Sequence, residues 1–247
     1  MNKTEKDLKL QKLKQLTALP SSYSDWEFTS VLISRPLNYL VLKVIGDVDF
    51  ITPNLITVLG FSSFLVASTL LYFKHFLVAS VFLFLRLLLD DLDGMSARYK
   101  NQSSFFGSYL DKITDVFGFA VYFGVLGYLI YIRNHSFIPV FAAFISIFSL
   151  VVTGYAKWVV VSMKPTKSNV KDPVQHNFSL KNLLILFSKL FVVNECDLFL
   201  FSILFIVFGK LEWLLGLITI SQILQMTVMV LKRGWEAHLL DQQKHSL

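Results

Sequence analysis

The sequence predicts an all-α integral membrane protein, six transmembrane helices preceded by an amphipathic interfacial helix, and three observations carry that expectation. Of the 247 residues 54% are hydrophobic and only 16% charged, against roughly 25% charged in an ordinary soluble domain. The apolar residues gather into runs at about 55–73, 76–98, 104–131, 137–162, 195–209 and 212–231, most of them near the roughly 20 residues that a 30 Å hydrocarbon core takes. Six crossings put both termini on one side, and that side holds eighteen Lys and Arg residues against Lys74, Arg133 and Lys210 opposite. Cytoplasmic loops carry such an excess, so both termini are expected in the cytoplasm. The single cysteine, Cys196, excludes an internal disulfide and a multi-cysteine metal centre.

Residues 1–50 read as a cytoplasmic and interfacial amphipathic region. Lys3, Lys6, Lys9, Lys12 and Lys14 alternate with Leu8, Leu10, Leu13, Leu16 and Leu19, a pattern suited to an anionic membrane surface and unlike a cleavable signal peptide. Thr29 to Ile45 is apolar but interrupted by Arg35, Pro36 and Lys43, so it is expected to lie along the interface. Residues 51–235 form the six-helix domain, and 236–247 a cytoplasmic tail. Pro165, Pro173 and five lysines mark 163–191 as a solvated connection, with a further interfacial helix near 179–191. Glu195 and Asp197 open the fifth span, where helix N-capping competes with the lining of a head-group pocket. Trp26, Trp158, Trp213 and Trp235 fall near the expected interfaces, as aromatic belts do.

The chemistry is concentrated in residues 90–115, DDLDGMSARYKNQSSFFGSYLDKITD. Asp90, Asp91, Asp93, Asp111 and Asp115 stand at the ends of two long apolar segments. Each would cost about 2.5–3.5 kcal/mol at a helix centre, so together they demand compensation, and a divalent cation is the economical one. At 100° per residue Asp90 and Asp93 lie about 60° apart on one helix, and Asp111 and Asp115 about 40° apart on the next. Two facing carboxylate pairs suit a hard cation, Mg²⁺ or Mn²⁺, of the kind that bridges substrate phosphates. Gly94, Ala97 and Gly107 share those faces and leave room for a ligand, while Arg98 offers a planar cation to phosphate oxygens. Asp91 is turned about 100° from Asp90 and is left out of the site. Metal, small-residue floor and arginine together describe a diphosphate site on the cytoplasmic face.

Asp90-x2-Asp93-Gly94-x2-Ala97-Arg98-x8-Gly107-x3-Asp111-x3-Asp115 matches, without a gap or substitution, the signature of the CDP-alcohol phosphotransferases (phosphatidyltransferases), class I. Eight specified positions give chance odds on the order of one in ten million. Upstream, Thr52-Pro53-Asn54-Leu55-Ile56-Thr57 resembles the family's Pro-Asn-x-x-Thr element, and the six-helix plan with its interfacial helix is similar too. The resemblance implies that Asp90, Asp93, Asp111 and Asp115 ligate a two-metal site of Mg²⁺ or Mn²⁺, with Asp115 also the catalytic base toward the acceptor hydroxyl. It implies that Gly94, Ala97, Arg98 and Gly107, helped by Asn54 and Thr57, bind the CDP portion of a donor such as CDP-diacylglycerol. The implied reaction displaces CMP with a second alcohol, in phospholipid biosynthesis, and the implied assembly is a homodimer.

Arg86, Lys112 and Lys157 are the candidates to meet the phosphate of a phosphorylated polyol acceptor, such as glycerol phosphate or inositol phosphate; the alternative is that Arg86 pairs with the aspartates while Lys112 and Lys157 snorkel. Two rival readings fit less of the pattern. An intramembrane prenyltransferase would want a further Asp where Ala97 stands, and a divalent-cation or proton transporter would want acidic groups in other spans and a repeated half. The expected partners are membrane lipid, a CDP-linked donor and an acceptor alcohol, with no nucleic acid. A bacterial inner membrane is favoured over the endoplasmic reticulum because the chain is short.

Overall fold

The computed structural model describes residues 11–13, 15, 16, 27–163 and 194–245, and among these it is helical with no strand. The basic segment before residue 11, most of the 163–191 connection, Trp26 and the side chain of Glu195 lie outside the described residues. A π-helical turn, Ser30–Ser34, runs into α1 (Arg35–Ile45). There follow α2 (Pro53–Tyr72), α3 (Phe76–Lys100), α4 (Phe105–Asn134), α5 (Ile138–Met163), α6 (Glu195–Val207) and α7 (Leu211–His245). Of these α2, α4, α5 and α7 are long and apolar enough to cross a membrane. The other two expected spans differ for distinct reasons. α3 is 25 residues long but charged through its second half, and α6 has 13 residues.

Local chemistry sets the helix ends that matter for the site. Thr52 is extended and its Oγ1 accepts the Leu55 N–H at 3.2 Å, while Pro53 fills the first helical position, where a missing N–H costs nothing. α3 stops at Asn101, which takes the left-handed conformation at φ 55° and lets the Gln102 N–H reach the Ala97 carbonyl at 2.8 Å. Three residues later Ser104 restarts the chain as a helix, its Oγ accepting the Gly107 N–H at 3.0 Å. The break between α3 and α4 is therefore short and capped on both sides. Between α2 and α3 the connection is shorter still, with Lys74 at φ 63°, so the two run antiparallel.

The described residues fall into two compact units, with α4 changing from one to the other between Tyr122 and Phe123. The first unit holds α1, α2, α3, the start of α4, and α6. Lipid gives apolar helices no reason to associate, so packing and hydrogen bonds must hold them. Phe64 of α2, Phe119 of α4 and Phe199 of α6 meet with ring centroids 5.1–5.4 Å apart, two contacts edge-on and one stacked. All three are buried. Polar ties fix the register: Ser63 Oγ donates to the Phe82 carbonyl at 2.8 Å, and Asn38 Nδ2 to the Leu88 carbonyl at 2.9 Å. Asp197 of α6, fully buried, accepts from the Thr29 N–H at 2.8 Å and the Thr29 Oγ1 at 2.7 Å. It thus caps the helix that begins at residue 28 rather than facing a head-group pocket. Nearer α1, Leu13, Leu42, Ile56, Leu92, Met95 and Tyr99 make a second apolar cluster.

The second unit pairs α5 with α7 and the end of α4. Small residues form the contact stripe of α5, with Ala143, Ser146, Ser149 and Thr153 buried. Ser146 Oγ lies 3.1 Å from Thr219 Oγ1, and Asn134 Nδ2 donates to Glu212 Oε1 at 3.0 Å.

Candidate active site

The site is built where α3 ends and α4 begins. One turn of α3 places Asp90 and Asp93, the next turn Gly94, Ala97 and Arg98; the first three turns of α4 place Gly107, Asp111 and Asp115. Carboxylate oxygens of Asp90, Asp111 and Asp115 lie within 4.8 Å of one another, a group that could hold a metal ion. Asp93 stands apart from that trio because its Oδ2 accepts the Thr57 hydroxyl at 2.6 Å.

Fixed cations already meet part of this negative charge. Arg86 Nη2 bonds Asp90 Oδ1 at 2.7 Å and also Asp115 Oδ1. Lys112 Nζ reaches Asp111 Oδ2 at 3.0 Å and Asp115 Oδ2 at 3.1 Å. The four signature carboxylates outnumber these two cations, and a divalent ion would answer the residual negative charge. An all-oxygen donor set with that residual charge fits Mg²⁺ or Mn²⁺ and has no soft ligand to favour a thiophilic metal.

Two cavities meet at the carboxylates. The first, about 250 Å³, is lined by all six residues expected to bind CDP: Asn54, Thr57, Gly94, Ala97, Arg98 and Gly107. Gly107 is required there by space, since a Cβ would stand 2.9 Å from Asn54 Oδ1 and 3.1 Å from Ser104 Oγ. Gln102, Ser103 and Ser104 add polar groups from the α3–α4 turn. The second cavity, about 320 Å³, shares Asp93, Gly94, Arg98 and Asp111 with the first. Its further walls are Asp90, Asp91, Lys112, Glu27, Arg35 and Cys196.

As site residues of the second cavity, sequence reasoning named Asp90, Asp93, Gly94, Arg98, Asp111 and Lys112 but not Glu27, Ser30, Arg35, Asp91 or Cys196. Glu27 and Arg35 come from the segment before α2, and Cys196 from α6, more than a hundred residues away along the chain. Asp91, set aside on helical angle, lines this second cavity instead of the first. Of the basic residues expected at an acceptor phosphate, Lys112 is half exposed beside the cluster, whereas Arg86 is 2% exposed and bonded to two aspartates. Lys157 is exposed on α5, in the second unit.

The chain matches the family model described as CDP-alcohol phosphatidyltransferase over residues 50–220. It is also similar to solved structures of the Mycobacterium tuberculosis phosphatidylinositol phosphate synthase. The form with CDP-DAG bound aligns at TM-score 0.51 and 17% identity, over 84% of this chain and 93% of that one. The apo form aligns at TM-score 0.51 and 19% identity, over 81% and 95%. At such identities the likeness speaks for the fold. No curated protein matches the sequence.

Proposed function

The chain belongs to the CDP-alcohol phosphatidyltransferase family, and from that premise we propose that it transfers a phosphatidyl group from CDP-diacylglycerol to a small polar acceptor alcohol, releasing CMP. Family membership and the apolar helices make it a multi-pass membrane transferase of phospholipid synthesis that uses a CDP-linked donor. The observation that carries the fuller reading is the meeting of two cavities at one carboxylate cluster. A donor diphosphate and an acceptor hydroxyl can approach that cluster from different sides.

In this reading the first cavity holds the CDP portion. Arg98 answers the diphosphate charge, Asn54 and the turn serines offer hydrogen bonds, and Gly94, Ala97 and Gly107 keep the floor low. Asp90, Asp111 and Asp115 would hold Mg²⁺ or Mn²⁺, and Asp93, whose Oδ2 accepts from Thr57, would be a further ligand. When bound, the metal neutralises the diphosphate and stabilises CMP as the leaving group. In a two-metal site the same four carboxylates would hold both ions.

Asp115 is the base. It is 5% exposed, a member of the carboxylate cluster, and bonded through Oδ2 to Lys112, which lines the second cavity. It takes the proton of the acceptor hydroxyl as that oxygen forms its bond to the phosphorus carrying the lipid alcohol. The bond from that phosphorus to the bridging oxygen breaks, and its electron pair leaves on CMP. The acceptor enters by the second cavity, where Arg35, Arg98 and Lys112 supply positive charge and Glu27 and Asp91 negative charge. That mixture suits a polar acceptor bearing an anionic group, such as a phosphorylated polyol.

The placement in the membrane follows from charge. We take α3 as a crossing, because its 25 residues span about 37 Å and the tight turn after α2 sends it back through the bilayer. α6 completes six, leaving α1 at the interface, both termini and the site cytoplasmic, and a homodimer in a bacterial inner membrane. Residues 51–235 are then the catalytic domain. Purified protein given CDP-diacylglycerol, Mg²⁺ or Mn²⁺, and a panel of glycerol phosphate, inositol phosphate, inositol, serine and choline should release CMP with one acceptor. Metal-dependent CDP binding without release would keep the family site and change the alcohol pair.

A further inference from the structure

Arg86 is the largest fully buried side chain of the described residues, and its surroundings come from four helices. α3 supplies Asp90 and α4 supplies Asp115, both bonded to the same nitrogen, Nη2. α6 supplies the Phe199 ring, 5.7 Å from the guanidinium carbon. α2 supplies Gly60, where a Cβ would stand 2.9 Å from Nη1. The other guanidinium nitrogens, Nε and Nη1, are buried without a hydrogen-bond partner.

Stability alone is a weak reason for such an arrangement. An apolar side chain of similar size often packs as well as a buried ion pair or better. Here one nitrogen is held on two carboxylates. Those carboxylates sit on different helices and are both members of the cluster that could hold a metal.

We propose that Arg86 is a positioning residue, a buried clamp that fixes Asp90 and Asp115 relative to each other and so decides which carboxylate oxygens serve the reaction. It holds the two Oδ1 atoms. Asp115 Oδ2 is turned instead to Lys112, whose side chain is 51% exposed, and Asp90 Oδ2 lies 3.9 Å from Cys196 Sγ on the second cavity's wall. The buried contact is the permanent one and the exposed contact is the one that yields. When an acceptor enters, Lys112 swings away and Asp115 Oδ2 receives the hydroxyl proton, while Arg86 keeps the carboxylate from turning. Arg86 touches neither substrate. This role rests on the assignment of Asp115 as the base.

The test uses the full chain in detergent, as wild type, Arg86→Gln, Arg86→Lys and Gly60→Ala, with two readouts: steady-state CMP release and the EPR spectrum of Mn²⁺ titrated into the protein alone. Loss of a group that orients metal ligands costs about 10–100-fold in activity or metal affinity. Arg86→Gln should therefore lower kcat by about 100-fold with the donor KM within about threefold, since no donor-cavity residue bonds Arg86. Arg86→Lys keeps the charge but not the fork and should recover about tenfold of that loss. Gly60→Ala, which crowds Nη1 without removing charge, should lower kcat by about tenfold and alter the bound Mn²⁺ spectrum. Unchanged kcat in Arg86→Gln, or a loss confined to KM, overturns the clamp. Should Arg86→Gln fail to fold, unchanged kcat and spectrum in both Arg86→Lys and Gly60→Ala overturn it equally. If wild type releases no CMP, the assignment of function fails on its own, and the Mn²⁺ spectra still decide whether Arg86 orders the cluster.

Discussion

α3 and α5 are nearly equal in length, 25 and 26 residues, and serve opposite purposes. α3 carries Arg86, Asp90, Asp91, Asp93, Arg98 and Lys100, whereas the only charged residue of α5 is Lys157. The buried stripe of α5 is small and hydroxylated, and Ser146 bonds within its own helix to the Ala142 carbonyl at 2.8 Å. Its large apolar side chains, Phe141, Phe144, Phe148 and Tyr155 among them, are exposed, as suits a helix among lipid tails. α3 instead buries Arg86 and Asp93 beside Leu83 and Leu87. A lone carboxylate at a helix centre costs about 2.5–3.5 kcal/mol, so α3 is tolerable only because charges on neighbouring elements answer its own. The difference teaches how the candidate site is held: charges of α3 are answered from other helices, Arg86 by Asp115 and Asp93 by Thr57, whereas the buried polar side chains of α5 carry no charge.

The comparison can be broken most sharply by taking away the ion. Chelation with EDTA should reduce CMP release below about 1% of the metal-replete rate, and added Mg²⁺ or Mn²⁺ should restore it. Activity that survives chelation would leave the carboxylates of α3 without the proposed role. Next in size is Gly107→Val, whose Cβ would stand 2.9 Å from Asn54 Oδ1. It should raise the donor KM by about tenfold with kcat little changed, as measured by initial rates across donor concentrations. The smallest effect belongs to the other unit. Ser146→Ala removes the contact to Thr219 and should cost about 0.6 kcal/mol in detergent unfolding. Its CMP release should stay at the wild-type rate, and a large fall there would place chemistry in α5.

Much of the first cavity's lining was legible because its residues are local. Asp90 to Asp115 lie within two helical segments and one turn, so helical periodicity alone brings them to shared faces, and Thr52 and Pro53 mark the start of α2 by composition. Contacts between distant segments carry no such signal. Thr29 and Asp197 are 168 residues apart, and neither residue's neighbours in sequence announce the other. Arg35 and Glu27 reach the second cavity for the same kind of reason. Arg86 was legible in position, one turn before Asp90, and the sequence left two directions open, an acceptor phosphate or the aspartates; in the structure it is buried and bonded to Asp90 and Asp115. Length and composition alone qualify four helices as spans among the described residues; the charges of α3 and the 13 residues of α6 keep those two outside that criterion.

Asp115→Asn tests the central claim most directly. It removes the base while keeping size and one hydrogen-bonding oxygen. With CDP-diacylglycerol, Mn²⁺ and the acceptor that supports turnover, the account predicts a fall in kcat of about 10²–10⁴-fold with donor binding preserved. Release of CMP at the wild-type rate by Asp115→Asn would contradict it.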